Sequence, residues 1–430
     1  MKLKRMVDIR PFKAITYTPK AGDTADLITQ PYDKIDLEMQ KQYYALSPYN
    51  FCRLILPIEK DTYRVANERI QTWLKDGIME KQPQPAIYIS RQEFTLKGKA
   101  YSRTGIIAAL RLYSYSEDMV FPHEATFKAP KADRLNMLRT VQKDLEPVFL
   151  MYQDPQEETI AFMAEVAKTK PFITVTDAYG VKHSVWKVTA PQQIRRLQAL
   201  ISPKKMVIAD GHHRYESAVA YRDDMRARGN LDPDAAFNFY MCYMVPVQEK
   251  GFIVLPTHRL LKNCKLTSEF IKQISCYFEI LEITPSVDAI EAFLASHVGE
   301  HAFAVYDGEK ACGLTLKHSK PVYDIIDANV SKETKVFDVV ILRDIIFKQI
   351  LHIGPLIFDD NILYVRWTKD AVEKVNRGEA SIAFMVNPIS AKTVAEVAVQ
   401  HEVLPEKSTD FYPKLVSGLV FMDISIGEKL

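Results

Sequence analysis

The chain has 430 residues, of which 47% are apolar and 26% charged; this composition excludes a disordered protein, and the length predicts two or three domains. The formal net charge of +2 lacks the excess of Lys and Arg that marks proteins coating nucleic acid, so we expect no nucleic-acid partner. Five cysteines without a CxxC pair argue against a disulfide framework or a zinc ribbon.

Two features of the sequence favour a cytoplasmic protein. The basic N-terminus is not followed by the apolar run of a signal peptide. No stretch reaches the roughly 20 apolar residues of a membrane span. We therefore expect no membrane partner, and a homodimer is compatible with the sequence.

Helices and strands alternate along the whole chain. Amphipathic spacing predicts helices near 37–46, 61–76, 131–145, 157–168, 191–199, 215–228, 267–278, 287–297, 335–352, 369–377 and 391–400. Short apolar runs predict strands near 15–17, 51–56, 86–90, 92–96, 104–113, 148–152, 172–177, 183–189, 205–209, 237–247, 302–306, 312–317, 361–366 and 380–387. The pattern predicts an α/β protein with mixed sheets, divided into an N-terminal domain, 1–255, and a C-terminal domain, 256–430, that contributes loops to the site.

The segment from Lys205 to Arg228 carries the strongest functional signal. A short apolar strand ends at Asp210, Gly211 allows a tight turn, and a helix follows. Because the first N–H groups of a helix have no acceptor within the helix, such a start is a ready binding site for an anion. The strand, turn and helix therefore predict a phosphate-binding element.

The side chains of this turn suit the same chemistry. His212, His213 and Arg214 can donate hydrogen bonds to phosphate oxygens, and a guanidinium can do so with two parallel bonds. Asp210 and His213 are also candidates for proton transfer or for holding a metal bound to the phosphate. One alternative is an ordinary helix start with an N-cap aspartate. Another is a metal held by histidine, but the HExxH and HHxxH spacings are absent, so we expect no metal of this kind.

The same turn resembles the nucleotide-binding turn of the sulfiredoxin and ParB superfamily, which includes ATP-using sulfiredoxins, CTP-binding partition proteins and free-serine kinases. Gly211, His213, Arg214 and Ala218 match the sulfiredoxin pattern. The reactive cysteine of that pattern is replaced by His212, so the resemblance does not extend to reduction of sulfinic acids. It implies a ParB/sulfiredoxin-like element that binds nucleotide phosphates, with a second α/β region beside it.

A second resemblance extends over nearly the whole chain, to the bacterial family called domain of unknown function 1015. The motifs that carry it are Gln30–Asp33, His123–Thr126, Pro130–Leu135, Ala209–Glu216, Pro256–Arg259, Pro405–Thr409 and Phe411–Lys414. Because the function of this family is unknown, the resemblance does not indicate which reaction the chain catalyses.

One of these stretches combines the groups that phosphoryl transfer needs, namely cations for phosphate and a histidine or carboxylate for the proton. Its two candidate catalytic residues and three candidate phosphate-binding residues are His123, Glu124, Lys128, Lys131 and Arg134. The alternative is a solvated loop and helix start in which Asp133 and Arg134 pair locally.

Three shorter motifs supply the remaining candidates. Asp33, in a Pro-Tyr-Asp turn, is either a general base or magnesium ligand, or a purely structural turn residue. His258 and Arg259 end a strand. Either both line the site, or His258 is a buried imidazole whose hydrogen bonds are satisfied within the protein. Lys407, Ser408 and Lys414 belong to a polar loop bounded by prolines, which is either an ordinary surface loop or one that can close over a ligand.

The combined motifs favour an enzyme that transfers a phosphoryl group from a nucleotide, ATP or ADP with Mg²⁺, to a small hydroxylated metabolite such as a hydroxy amino acid. Two alternatives are a phosphoester hydrolase acting on a small phospho-metabolite and a non-catalytic nucleotide-binding, partition-like protein. We predict one cleft lined by residues 120–134, 210–216, 258–259 and 407–414.

Overall fold

The computed structural model describes residues 6–124, 128–262, 264–326, 331–353, 362–405 and 407–430. These residues form two compact units. The first runs to Pro122, continues up to Ile253 and ends with Pro413–Leu430, whereas the second combines His123 and Glu124 with the chain from Val254 to Tyr412. The predicted domains, 1–255 and 256–430, stay a prediction, but the final segment clusters with the first unit.

The first unit contains thirteen of the strands and eight of the helices. Its strands are β1 (Ile9–Arg10), β2 (Ala14–Tyr17), β3 (Met79–Lys81), β4 (Ile87–Leu96), β5 (Lys99–Arg111), β6 (Val120–Phe121), β7 (Lys143–Asp144), β8 (Val148–Tyr152), β9 (Ile173–Thr176), β10 (Lys182–Val188), β11 (Met206–Asp210), β12 (Phe239–Pro246) and β21 (Phe421–Asp423). Its helices are α1 (Thr24–Leu27), α2 (Leu37–Leu46), α3 (Cys52–Ile55), α4 (Thr62–Lys75), α5 (Lys128–Val141), α6 (Glu158–Val166), α7 (Pro191–Ile201) and α8 (His212–Ala227).

Two sheets organise this unit. The larger has nine strands in the order β6-β11-β8-β12-β5-β4-β10-β9, with β1 paired to β5. The β6–β11 and β8–β12 pairs are parallel, and the remaining pairs are antiparallel. The smaller sheet has the order β3-β2-β21-β7, so the C-terminal strand β21 lies between strands from distant parts of the chain. Strand β12 is buried along its whole length and lies in the core.

The second unit has a six-stranded antiparallel sheet in the order β15-β17-β16-β19-β14-β18. The strands from Ile253 onward are β13 (Ile253–Leu255), β14 (His258–Leu261), β15 (Phe278–Ile283), β16 (Ala302–Tyr306), β17 (Ala311–Leu316), β18 (Ile362–Val365), β19 (Ile382–Val386) and β20 (Asp410–Tyr412). Its helices are α9 (Ser268–Ile274), α10 (Val287–Ser296), α11 (Ser319–Ile325), α12 (Lys332–Lys335), α13 (Asp338–Ile341), α14 (Thr368–Asn376) and α15 (Ala391–Ala398), with a π-helix at Leu342–Ile350.

The predicted α/β class with mixed sheets is confirmed, but one predicted strand is wrong, and His258 and Arg259 begin strand β14 instead of ending a strand. Residues 52–55 form helix α3 instead of a strand. The side chain of Asn50 explains this, since its Oδ1 accepts a hydrogen bond from the N–H of Cys52 at 2.9 Å and its Nδ2 donates to the carbonyl of Asp26 at 2.7 Å. Asparagine commonly starts a helical turn in this way. No helix in the described ranges is long and apolar enough to cross a bilayer.

The first unit buries a carboxyl group whose ionisation should weaken the fold. Asp144 is 0% exposed; its Oδ2 accepts from the N–H of Met241 at 3.1 Å, and its Oδ1 has no hydrogen-bond partner among the described residues. Burial raises the pKa of Asp144 well above its usual value, only partly opposed by Met241 and Lys143. The folded protein therefore holds this proton more tightly than the unfolded chain does.

We expect Asp144→Asn to stabilise the protein at neutral pH. Below about pH 4 the carboxyl is protonated in both the folded and the unfolded protein, so the substitution changes the free energy of unfolding little. Above that pH the stability gained by the substitution grows by up to about 1.4 kcal/mol per pH unit, until the carboxyl also ionises in the folded protein. Asp423 is the matched control, because Lys143 helps to lower its pKa to about 2 against the effect of burial. Asp423→Asn should lose stability at neutral pH, and the loss should fade below about pH 4. Urea unfolding from pH 3 to 8 measures both effects, and parallel stability–pH curves for wild type and Asp144→Asn would contradict a raised pKa of Asp144.

Candidate functional site

The candidate site lies where β11 gives way to α8. The register of β11 against β8 shifts between Ile208 and Asp210, a bulge that redirects the last side chain of the strand. Gly211 follows with φ 92° and ψ 31°, in the left-handed region that glycine adopts without strain. The bulge and the glycine together turn the chain from the sheet into the helix.

Helix α8 begins at His212, earlier than the predicted start near Tyr215. The N–H of Tyr215 donates to the carbonyl of Gly211 at 3.0 Å, so the helical ladder is established from the glycine onward. His213 and Arg214 therefore lie in the first turn, where the helix dipole is positive. His212 is buried and His213 half-buried.

Gly211→Ala should destabilise the turn by about 2–4 kcal/mol, because alanine is strained at this positive φ and its Cβ would conflict sterically with Arg214. A Cβ at this position would lie 2.9 Å from Nε of Arg214. Gly229 provides a matched control at the far end of α8, since its φ is +90° and no atom lies within 4 Å of a Cβ built there. Gly229→Ala should cost only the backbone strain, about 1–2 kcal/mol. Equal losses of unfolding free energy in urea would show that the contact with Arg214 contributes nothing.

Asp210 is an ionised carboxylate held between two cations. Its Oδ2 accepts from Nη2 of Arg214 at 2.9 Å, and its Oδ1 accepts from Nζ of Lys414 at 3.2 Å. Burial alone would raise the pKa of Asp210, but Lys414, Arg214 and Lys34 lower it well below its usual range. Such a carboxylate is a weak base, so it serves better as a fixed negative charge than as a proton acceptor.

Arg214 is buried beneath the turn. Its Nη1 donates to the carbonyl of Pro147, and its Nη2 donates to Asp210. Burial would lower the pKa of Arg214, but Glu146, Asp210 and Asp33 raise it, so the guanidinium stays charged. In this arrangement Arg214 orders the turn; its predicted bidentate contact with phosphate stays a prediction.

Glu146, which sequence reasoning missed, connects three segments of the first unit. Its Oε1 accepts from the N–H of Tyr32 at 3.0 Å and from Oγ of Ser417 at 2.9 Å, and Nη1 of Arg134 lies 4.0 Å from its Oε2. The side chain is only 4% exposed. Glu146 is a single acidic residue in an apolar run that leads into β8. A charge at such a position was the one signal in the sequence that could have indicated a functional or structural role for this residue.

Asp33 lies beside this network on the turn Tyr32–Lys34, a 3₁₀ helix. The guanidinium of Arg134 lies 4.0 Å above the ring of Tyr32, and burial raises the pKa of that tyrosine to about 12, partly opposed by Arg134 and Arg214. Asp33 is exposed, and it contributes to raising the pKa of Arg214. Within the described parts of the chain its carboxylate makes no hydrogen bond or ion pair, so it is available to a ligand.

Two of the three predicted cations of α5, Lys131 and Arg134, pair with neighbouring carboxylates. Nζ of Lys131 lies 2.8 Å from Oε2 of Glu216. Nε of Arg134 donates to Oδ2 of Asp133 at 2.7 Å, which is the local pairing that the alternative interpretation predicted. Lys128 begins the helix, but its side chain lies outside the described part of the structure. The phosphate-binding roles of these residues stay predictions.

A second group of predicted residues meets within the second unit. Nε2 of His123 lies 2.8 Å from Oγ1 of Thr409, and that hydroxyl donates to Oε1 of Glu124 at 3.2 Å. The ring of Phe411 packs edge-on against the imidazole, with 5.9 Å between centroids. His123 is 1% exposed, so these contacts hold a buried imidazole next to a carboxylate.

Arg259 and the loop 407–408 belong to the same unit. Nη2 of Arg259 donates to the carbonyl of Lys407 at 3.2 Å, and burial lowers the pKa of this guanidinium to about 10, against the effects of Tyr364 and Glu124. Oγ of Ser408 donates to the carbonyl of Pro405, and Nδ1 of His258 accepts from the N–H of Val386 at 3.3 Å.

The predicted residues thus fall into two groups, one in each unit. The group in the first unit contains Asp33, Lys131, Arg134, Asp210, Gly211, His212, His213 and Arg214. The group in the second unit contains His123, Glu124, His258, Arg259, Lys407 and Ser408. The prediction of one common cleft stays a prediction. Lys414 ends the segment 407–414 that the sequence predicts to line the cleft, and it is a direct partner of Asp210.

Comparisons with known proteins gave a family and several remote structural matches. The family model described as "Protein of unknown function (DUF1015)" matches residues 9–340. No curated protein matches the chain.

The solved structures include three kinds of protein. A conserved hypothetical protein from Pyrococcus furiosus is 15% identical, with 72% of this chain and 92% of that chain covered and a TM-score of 0.32. A free serine kinase in complex with AMP is 15% identical, with 71% and 86% covered and a TM-score of 0.33. SbnI with a C-terminal truncation, from Staphylococcus aureus, is 10% identical, with 72% and 84% covered and a TM-score of 0.32.

Proposed function

The chain belongs to the DUF1015 family of proteins of unknown function, and from its site we propose a phosphate- or nucleotide-binding enzyme. The proposed reaction is transfer of a phosphoryl group from a nucleotide, ATP or ADP, to a small hydroxylated metabolite such as a hydroxy amino acid. The observation that carries the proposal is the ionised Asp210, held between Lys414 and Arg214 at the start of α8.

The charges of the turn support binding of an anion. The start of α8 contributes a positive potential, and the cations Lys414, Lys34 and Arg214 lie close enough to lower the pKa of Asp210. Backbone and ammonium donors at such a helix start can share the oxygens of a phosphate group. His213, half-buried in the first turn, is the imidazole that we assign to the phosphate.

The two aspartates of the site differ in ways that separate their roles. A low pKa makes Asp210 a poor proton acceptor, and we assign it to holding Lys414 and Arg214 in place. We assign Asp33 to the proton of the acceptor hydroxyl, because its carboxylate is exposed near the turn. Phosphoryl transfer would then depend mainly on positioning and on neutralisation of charge. The catalytic roles of His123, Glu124 and His213 stay predictions.

The carboxylates of the turn fit a magnesium ion that enters with a nucleotide. Mg²⁺ usually binds through one or two carboxylates together with phosphate oxygens, and the ionised Asp210 would supply one such carboxylate while Asp33 serves as the base. Across the described ranges there is no group of three or more His, Cys, Asp or Glu side chains that could hold a metal by themselves. Bound in this way, Mg²⁺ would neutralise charge on the phosphates.

A turnover assay tests the proposal against its two alternatives. The purified protein is incubated with ATP or ADP and Mg²⁺, with and without a panel of hydroxy amino acids and related alcohols. Nucleotide consumption that requires an acceptor, with formation of its phosphoester, supports the transferase. Phosphate release from a phospho-metabolite without nucleotide would instead indicate a hydrolase, and nucleotide binding without turnover would indicate a non-catalytic binding protein.

A further inference from the structure

Arg103, on β5, is a fully buried arginine close to the proposed site. Its side chain is 0% exposed, and its guanidinium carbon lies 4.8 Å from the ring centroid of Phe149 and 5.9 Å from that of Tyr243. Burial lowers the pKa of this guanidinium, partly opposed by Tyr243, Glu249 and Asp210. Burying a guanidinium costs free energy unless its N–H donors make hydrogen bonds of good geometry.

The donors of Arg103 are directed at the C-terminal segment. Its Nε donates to Oε1 of Gln92 at 3.1 Å, and its Nη2 donates to the carbonyl of Pro413 at 2.5 Å. Nε2 of Gln92 in turn donates to the carbonyl of Lys414 at 3.0 Å. The side chains of Arg103 and Gln92, on neighbouring strands, therefore hold the consecutive carbonyl groups of Pro413 and Lys414. Lys414 is also the residue whose ammonium contacts Asp210.

The segment is also anchored beyond Lys414. The N–H of Ser417 donates to the carbonyl of Thr29 at 2.8 Å, and the N–H of Thr29 donates back at 3.1 Å. Oγ of Ser417 donates to Glu146. With its backbone fixed on both sides, the Lys414 side chain is 8% exposed and its Nζ lies 3.2 Å from Oδ1 of Asp210.

We infer that Arg103 is a positioning residue, which acts through Gln92 and the carbonyls of Pro413 and Lys414 to hold the Lys414 ammonium at the phosphate-binding turn. A methionine or leucine would fill the space between the two aromatic rings without burying a charge, but it could not hold the two carbonyls. The inference rests on the proposed function and deepens it, since it makes Lys414 the cation that passes from Asp210 to a phosphate oxygen when a nucleotide binds. An ammonium with three donors suits such an exchange.

The first test is a double-mutant cycle on nucleotide binding by the full chain. Arg103→Met and Lys414→Met should each weaken ATP binding by about tenfold or more, and the double variant should be no weaker than Lys414→Met alone, because the two residues act as one unit. Arg91→Met is the matched control: Arg91 also stacks on an aromatic ring of this sheet, 5.3 Å from the centroid of Trp186, and it donates to Thr104. Affinity of the control should change by less than about twofold. Additive losses in the cycle would overturn the inference.

A second readout does not depend on the proposed function. Acetylation of Lys414 by acetic anhydride, followed by mass spectrometry, should be slow in the wild type and severalfold faster in Arg103→Met, with Arg91→Met unchanged. If the wild type binds no nucleotide but acetylation follows this pattern, the proposed function fails and the positioning role stands. An unchanged acetylation rate in a folded Arg103→Met protein would contradict the positioning role. Gln92→Leu removes the bond to the Lys414 carbonyl and replaces Arg103→Met if that variant does not fold.

Discussion

Asp33→Asn is expected to lower kcat for phosphoryl transfer by about 10²–10⁴-fold while changing the Kd of the nucleotide little. The reason is that Asn keeps the size and polarity of the side chain but cannot accept the proton of the acceptor hydroxyl. Asp33 is exposed on the Tyr32–Lys34 turn and close enough to influence the charge of Arg214, so its removal should leave the fold intact. The measurement is a steady-state assay with saturating nucleotide and varied acceptor.

Asp76→Asn is the matched control, because Asp76 is also an exposed aspartate of the first unit, at the C-cap of α4. Its kcat should equal that of the wild type. Full activity in Asp33→Asn would contradict its assignment as the base that accepts the proton of the acceptor hydroxyl.

Arg214→Met is expected to lower the free energy of unfolding by about 3–5 kcal/mol, because it removes the guanidinium that stabilises the negative charges of Asp210 and Glu146. Asp210 loses the bond from Nη2, the carbonyl of Pro147 loses the bond from Nη1, and Glu146 loses the charge that it stabilises. Urea unfolding measures the loss. Asp210→Asn should then cost less in the Arg214→Met background than in the wild type, since its carboxylate has already lost one of its two cationic partners there.

The pH dependence of this loss has a definite sign. The pKa of Asp210 is lowered in the folded protein, so its contribution to stability is present above the unfolded pKa and is lost as the pH falls toward the folded one. The difference between wild type and Arg214→Met should therefore narrow below about pH 4. As a control, Arg139→Met removes a more exposed ion pair, Arg139 with Asp224, and should cost no more than about 1 kcal/mol. A similarly small cost for Arg214→Met would show that its guanidinium does not organise the turn.

The strand–turn–helix was predictable because its signals are local. An apolar run, a glycine and an amphipathic segment follow one another between Met206 and Ala227, and the structure places β11, the left-handed Gly211 and α8 there. The start of the helix was less predictable, since polar residues such as His212 and His213 carry no periodic signal. The strand predicted at 51–56 was wrong because the Asn50 side chain bonds the N–H of Cys52, and such a local bond favours a helical turn over the extended chain that the apolar run predicted.

The surroundings of the turn were not predictable, because they come from residues far apart in the chain. Glu146 receives bonds from Tyr32 and Ser417, and no spacing in the sequence connects these three. The same holds for Lys414 and Asp210. Strand β21 is three residues long, so its pairing with β2 and β7, which brings the C-terminal segment into the first unit, left no periodic pattern.

The most direct test of phosphate binding at the Asp210–Arg214 turn is isothermal titration of the purified protein with ATP, ADP, AMP and adenosine, with and without Mg²⁺. Binding of the phosphorylated forms but not of adenosine, together with ATP binding at least about tenfold weaker in the folded Lys414→Met variant, would agree with the proposed site. Equal affinity for adenosine and ATP, or ATP binding that is unchanged in both Lys414→Met and Gly211→Ala, would contradict it.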